Sequence, residues 1–193
     1  MKTSNIKFDF TNKKVIVFGG SRGIGKEVCR QFQLSGATVY CASRGEPDLE
    51  NVEHIRCDIT FPCDVNRVFD TVQNADFVIN VAGTNLCDSI DNIDLWEWDR
   101  LMDTNLRSFF VICQRATHEM KSTGGRIVNV SSIAGRSKSV VSGVHYTSSK
   151  YGIIGLTKQL AHEASRYNIL VNCVCPSQTL TEMLSESMTD SQL

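Results

Sequence analysis

Five short runs rich in β-branched and apolar residues punctuate the chain, and their spacing constrains the fold more than any other feature. They are KVIVFG from Lys14, TVYCAS from Thr38, FVINVAG from Phe77, RIVNVSS from Arg126 and ILVNCVCPS from Ile169. Each has the length of a strand, and stretches that could hold helices separate them, which is the alternation that builds a parallel sheet. The runs are apolar on both faces, as expected of strands covered by helices on each side. The connection GEPDLENVEHIR, between Arg44 and Cys57, leaves room for a single turn of helix. By contrast LWEWDRLMDTNLRSFFVICQRATHEMK, from Leu95, reads as one long helical stretch whose apolar stripe is broad enough to face the sheet and something else.

At 193 residues the chain suits one compact domain, 1–193, able to bury a real core without disulfides or a structural metal. Basic and acidic residues nearly cancel, at a net charge of -1, which argues against a grip on nucleic acid or an anionic membrane and favours a small-molecule partner. No apolar run reaches the length of a signal peptide or a membrane span, so a cytoplasmic location is expected. The eight cysteines are scattered and form no CxxC pair, and the four histidines carry no ligand spacing, so no metal site is expected. Buried free thiols in a reducing compartment are the ordinary reading.

Two features carry chemistry. After the first strand, FGGSRGIGKEV places Gly19, Gly23 and Gly25 in the spacing G-x-x-x-G-x-G. Glycines there let the chain turn sharply out of a strand and bring its amides close to a pyrophosphate at a helix N-terminus. The spacing is not G-x-G-x-x-G, because Arg22 stands where a glycine would be needed, and a plain strand-to-helix turn remains open. At the end of the second run, Ser43 and Arg44 occupy the place where an NAD site usually carries an acid for the ribose 2'-hydroxyl. Arg44 and Arg22 suit a 2'-phosphate instead, which favours NADP(H), although both also suit ordinary surface charge. Further on, HYTSSKYG sets Tyr146 and Lys150 four residues apart, on one face if the segment is helical. A fixed ammonium near a phenol favours the phenolate, but the pair alone also suits an exposed phenol beside a solvated amine.

Taken in order, these segments resemble the short-chain dehydrogenase/reductase family through nearly the whole chain. Its T-G-x-x-x-G-x-G is similar to FGGSRGIG, its N-N-A-G to NVAG, its serine strand to VNVSSIAG, its Tyr-x-x-x-Lys to YTSSK, and its segment over the nicotinamide to VNCVCPSQTLTEM. The resemblance, with 3-oxoacyl carrier-protein reductases as the nearest general likeness, implies a Rossmann-like, doubly wound parallel sheet of at least six strands with helices on both faces. It also implies hydride transfer between NADP(H) and a carbonyl or secondary alcohol. By the family's pattern Tyr146 is the proton donor, and Lys150 lowers its pKa and holds the nicotinamide ribose. Ser132 polarises the carbonyl, and Asn105 bends the long helix and keeps a water for a proton relay. The implied cofactor contacts are Gly19, Ser21, Arg22, Gly23, Ile24 and Gly25 in the turn, Ser43, Arg44, Asp58 and Ile59 beside the adenosine, and Asn80, Ala82 and Gly83 at the fourth strand. Tyr146, Lys150, Pro176 and Thr181 complete them. Thr84, Asn85, the loop RSKSVVSGVH and the segment QTLTEMLSESM are expected to choose the substrate.

Three positions depart from the pattern: Phe18 replaces a threonine, Val81 the second asparagine of N-N-A-G, and Ser177 a glycine. The chain also lacks the family's last helix and strand, which predicts an open sheet edge and poor order for Ser185 to Leu193. Self-association into a dimer or tetramer through the two long helices is implied as well. The alternative to an enzyme is an NADPH-binding or interaction protein that keeps the fold with little turnover.

Overall fold

The computed structural model describes residues 7–181. Its strands are β1 (Lys14–Phe18), β2 (Thr38–Ser43), β3 (Glu53–Arg56), β4 (Phe77–Asn80), β5 (Gly125–Val130) and β6 (Ile169–Val174). They form one parallel sheet in the order β3-β2-β1-β4-β5-β6. The order runs outward from β1 to β3 and then restarts on the other side at β4. That reversal opens a crevice beyond the carboxyl ends of β1 and β4, where open parallel sheets take their ligands.

Helices α1 (Gly23–Leu34), α2 (Pro62–Val72), α4 (Ser108–Met120) and α5 (Val144–Ala164) cover the sheet, and α3 (Leu95–Met102) leads into α4. Successive strand residues point to opposite faces. In β1, Val15 and Val17 meet Cys29, Val28 and Phe32 of α1. Ile16 and Phe18 go the other way, into the larger core with Phe69 of α2, Ile112 of α4 and Ala164 of α5. Burial of each such aliphatic side chain stabilises the fold by roughly 1.5–3 kcal/mol, and Ile16 and Val17 are wholly buried. Phe18 lies 5.8 Å from the Phe69 ring.

The stretch from Leu95 to Met120 is one continuous helical path, as its sequence predicts, with a π turn over Asp103–Arg107 between α3 and α4. Asp94 starts it by accepting the Glu97 N–H at 2.7 Å. α5 ends through a 3₁₀ turn at Ser165–Tyr167 and a left-handed Asn168, φ 56°, a conformation that asparagine tolerates better than most residues.

The segment between Arg44 and Cys57 corrects the sequence reading. It holds no helical turn but the edge strand β3, paired to β2 from Tyr40 with Glu53 to Ser43 with Arg56. An edge strand has one solvent flank and does not require the apolar pattern of a central one. The opposite edge is β6, whose Leu170 and Val174 are 47% and 52% exposed, while Ile169 and Val171 are buried against the helices. Residues Ser185 to Leu193 lie outside the described residues. Among the described residues, no helix is long and apolar enough to cross a membrane, and no three His, Cys, Asp or Glu side chains cluster as metal ligands.

Candidate active site

A cavity of about 750 Å³ occupies the crevice, and its walls come from every part of the chain that the sequence singled out. One end is made by the turn after β1. Gly19 has φ 88°, and a Cβ there would sit 2.6 Å from main-chain atoms of Ala82. A Cβ on Gly25, in the first turn of α1, would run into the Gly19 carbonyl oxygen. Main-chain bonds close the turn: the Gly19 N–H donates to the Ala42 carbonyl, and the Val81 and Ala82 N–H groups donate to that of Phe18, all at 2.9 Å. The side chain at position 18 is therefore free to join the core. The N-cap residue of α1, Arg22, makes no side-chain capping bond, and the first turn carries no acid, an arrangement that suits an anion at this helix N-terminus.

Ser21, Arg22, Gly23 and Ile24 line this end, and Ser43, Arg44, Asp58 and Ile59 continue the wall. The Ser43 hydroxyl is buried and spoken for, donating to the Gly45 carbonyl at 2.7 Å. Arg44 is exposed at the rim. One Asp58 oxygen accepts from the Thr60 amide at 3.0 Å and from its hydroxyl at 2.7 Å, which fixes the carboxylate at the wall.

The other end holds Ser132, Tyr146 and Lys150, with Ala82 and Gly83 between the two. Ser132 follows β5, where the Ala134 N–H donates to its Oγ at 3.1 Å. Tyr146 and Lys150 stand one turn apart near the start of α5. The Lys150 Nζ lies 5.4 Å from the Tyr146 ring centroid and 3.5 Å from the Val130 carbonyl it donates to. Burial pushes the Tyr146 phenol up from its ordinary value, and the Ser132 hydroxyl pulls it back down. Burial also pushes the Lys150 ammonium down, to about 8, against a weaker opposite pull from Cys173 and Cys175.

Two expected residues do not line the cavity. Asn80 is wholly buried and donates through Nδ2 to Asn129 Oδ1 at 2.7 Å. Alternation along β4 explains this: Val78 and Asn80 point to the α4 and α5 side, and Phe77 and Ile79 point to the α1 side. Asn105, in the π turn, is also wholly buried. Its side chain clamps the wall from behind, accepting the Thr84 N–H at 2.9 Å and donating to the Thr84 carbonyl at 2.8 Å. π turns often mark functional sites, since the widened turn frees helix backbone from its regular bonds.

Sequence reading missed the polar residues that hold this end in place. Asn129 of β5 accepts from Asn80 and donates to Thr157 of α5 at 2.9 Å. The Ser131 hydroxyl donates to the Lys150 carbonyl at 2.8 Å, and that of Ser149 to the Tyr146 carbonyl at 2.7 Å. An asparagine inside the apolar run RIVNVSS was the available signal, because a polar side chain in a central strand needs a buried partner. Pro176 and Thr181 line the wall after β6, where the Pro176 carbonyl accepts from the Ile133 N–H at 2.8 Å.

A sequence model of the short chain dehydrogenase family matches residues 13–192. The chain belongs to that family. It is 30% identical over 196 residues to the D-beta-hydroxybutyrate dehydrogenase of Rhizobium meliloti, covering 92% of this chain and 76% of that protein. Identity reaches 34% over 190 residues with a 3-oxoacyl-acyl-carrier-protein reductase of Chlamydia pneumoniae, covering 90% and 76%. Among solved structures, a short-chain dehydrogenase from Leptospira borgpetersenii with bound NAD+ superposes with TM-score 0.82 at 28% identity, covering 93% of this chain and 76% of that one. A short-chain dehydrogenase/reductase from Mycobacterium marinum gives TM-score 0.86 at 29% identity, covering 93% and 78%.

Proposed function

We propose that this short-chain dehydrogenase is an NADP(H)-dependent oxidoreductase that interconverts a carbonyl and a secondary alcohol on a small molecule. The observation that carries the reading is convergence: Ser132, Tyr146 and Lys150 share one cavity with a glycine turn that only main chain can occupy closely. The residues present fit a dinucleotide: Gly19, Gly23 and Gly25 would hold its phosphates, Asp58 and Ile59 its adenosine, and Gly83 and Pro176 its nicotinamide. When bound, NADPH supplies the hydride that reduces the carbonyl carbon. Ser132 orients the carbonyl through its hydroxyl, and Tyr146 gives the phenol proton to the oxygen as it becomes an alkoxide. A phenol held protonated by burial suits that direction of transfer. Lys150 binds ribose hydroxyls, and its pKa of about 8 lets it serve as a nearby proton source. Asn105 positions the Thr84 wall rather than touching the reacting atoms.

Preference for NADP(H) rests on Arg22 and Arg44 lining the cavity where β2 ends without an acid. Arg44→Asp is expected to lower kcat/KM with NADPH about tenfold while leaving NADH use nearly unchanged. Half-exposed Phe110 on α4 and Tyr151 on α5 are consistent with self-association through those helices. The reading is tested by titrating the parent protein with NADPH by fluorescence and then following NADPH oxidation with a panel of carbonyl compounds. Binding followed by turnover supports an enzyme; tight binding with no turnover across the panel returns the protein to the role of a binding module.

A further inference from the structure

The proposed chemistry leaves one charged side chain of the cavity without a task. Arg100, on α3, lines the cavity together with Thr104, one turn further along. This wall belongs to the reaction end. Glu97, one turn before Arg100, bonds His145 Nε2 at 2.8 Å, and His145 is the neighbour of Tyr146. On the far side of Thr104 stands Asn105, which clamps Thr84.

A helical arginine commonly pairs with an acid three or four residues away. Both acids three residues from Arg100 are otherwise engaged: Glu97 holds His145, and Asp103 pairs with Arg107 at 3.6 Å. Arg100 instead stacks on Trp96, with the guanidinium carbon 4.8 Å from the ring centroid. Stacking uses the face of the guanidinium and leaves its edge N–H groups for a planar oxoanion. The rest of the charge in the cavity points the same way. Among the described residues that line it, the one carboxylate is Asp58, at the dinucleotide end. Around Tyr146 the lining is uncharged, with polar Asn85, Ser139 and Ser142 and apolar Ile133 and Val141, apart from the cations Lys150, which is buried, and Arg100, which is exposed.

We propose that Arg100 is a specificity-determining residue that receives an oxoanion, carboxylate or phosphate, carried by the carbonyl substrate. The substrate class is then anionic ketones and the matching hydroxy acids or hydroxy phosphates, rather than neutral ketones. This rests on the carbonyl-reducing reading of the cavity, and it goes further by naming which end of the substrate is charged.

The test compares matched pairs with NADPH at low ionic strength: acetoacetate against methyl acetoacetate, and dihydroxyacetone phosphate against dihydroxyacetone. The parent is expected to favour the anion of at least one pair by about tenfold or more in kcat/KM, as for a charged hydrogen bond. Arg100→Gln should bring that ratio close to one, and Arg100→Glu should reverse it. The ratio is the readout because it cancels any general loss of activity. Which pair shows the preference identifies the oxoanion. A parent that prefers the neutral member of both pairs, or a ratio unmoved by Arg100→Gln, overturns the inference. If no compound of either pair turns over, the proposed reaction is what fails for these substrates, and the subsite is read by binding instead. Malonate or inorganic phosphate, added with NADP+, should raise the thermal unfolding midpoint of the parent and not that of Arg100→Gln. The absence of any such rise in the parent, or an equal rise in both proteins, also overturns it.

Discussion

At the end of the cavity formed by the glycine turn the close contacts are made by main chain, whereas at the end proposed for the reaction the lining is made by side chains on segments that buried polar side chains tie together. Gly19 and Gly25 leave no room for a Cβ, and the turn is closed by N–H groups donating to the Ala42 and Phe18 carbonyls. Ser132 stands instead just after β5, and Tyr146 and Lys150 on α5, the two segments being tied together by Asn129 to Thr157 and by Ser131 to the Lys150 carbonyl. The first end tolerates change in side chains and none in backbone space, so Phe18 can stand in place of a hydroxyl residue there. The second end depends on the identity of a few polar groups. Cofactor binding and proton transfer should therefore fail separately under mutation.

The sharpest steric test is Gly25→Val. The added side chain meets the Gly19 carbonyl oxygen, a main-chain atom that cannot swing away. Loss of about 3 kcal/mol of stability is expected, with loss of NADPH binding; urea unfolding and a fluorescence titration measure both. A variant with the parent's midpoint and affinity would break the contrast. Asn129→Ala acts on the other end. It leaves the buried Asn80 amide with only a long contact to Cys113 Sγ at 3.6 Å, at about 1–3 kcal/mol, although Thr157 still donates to the Ile153 carbonyl, while NADPH affinity stays within about twofold. A large loss of affinity without a loss of stability would show that the two ends are not separable.

Lys150 supplies a smaller, pH-dependent test. Its folded pKa, about 8, lies below the ordinary 10.5, because burial disfavours the charged form. Between those values the unfolded chain binds more protons, so stability rises with pH across that window and the burial cost is fully present below about 8. Lys150→Met removes the cost. The variant should be the more stable at pH 7, by a margin constant below about pH 8 and shrinking as pH climbs toward 10. A margin that does not change with pH would mean that Lys150 is not desolvated in the folded protein.

Most of the sheet was legible because central strands of a parallel sheet are buried on both faces and must be apolar throughout, as in KVIVFG and FVINVAG. β3 was not, because EHIR at an edge has an intermediate and exposed pattern that leaves no such signature. The glycine turn could be read from spacing alone, since only glycine meets its backbone demands. Asn80 was expected to line the cofactor, and counting alternate residues from Val78 would have put its side chain on the core face, where it bonds Asn129. The clamp made by Asn105 was hidden for another reason. Its partner is the main chain of Thr84, far away in sequence, and a π turn has no periodic pattern of its own. Arg100 gave no signal either, because what distinguishes it is that its helical neighbours Glu97 and Asp103 are occupied elsewhere.

The central claim is that Tyr146 moves a proton in a site whose dinucleotide contacts lie mostly elsewhere. Stopped-flow single turnover at saturating NADPH, on the parent and Tyr146→Phe, with the NADPH Kd determined for each, tests it most directly. The variant should keep its Kd within about threefold while the rate of NADPH oxidation by a reactive carbonyl falls by about 10²–10⁴. Equal rates in the two proteins, or a Kd that collapses together with the rate, would contradict it.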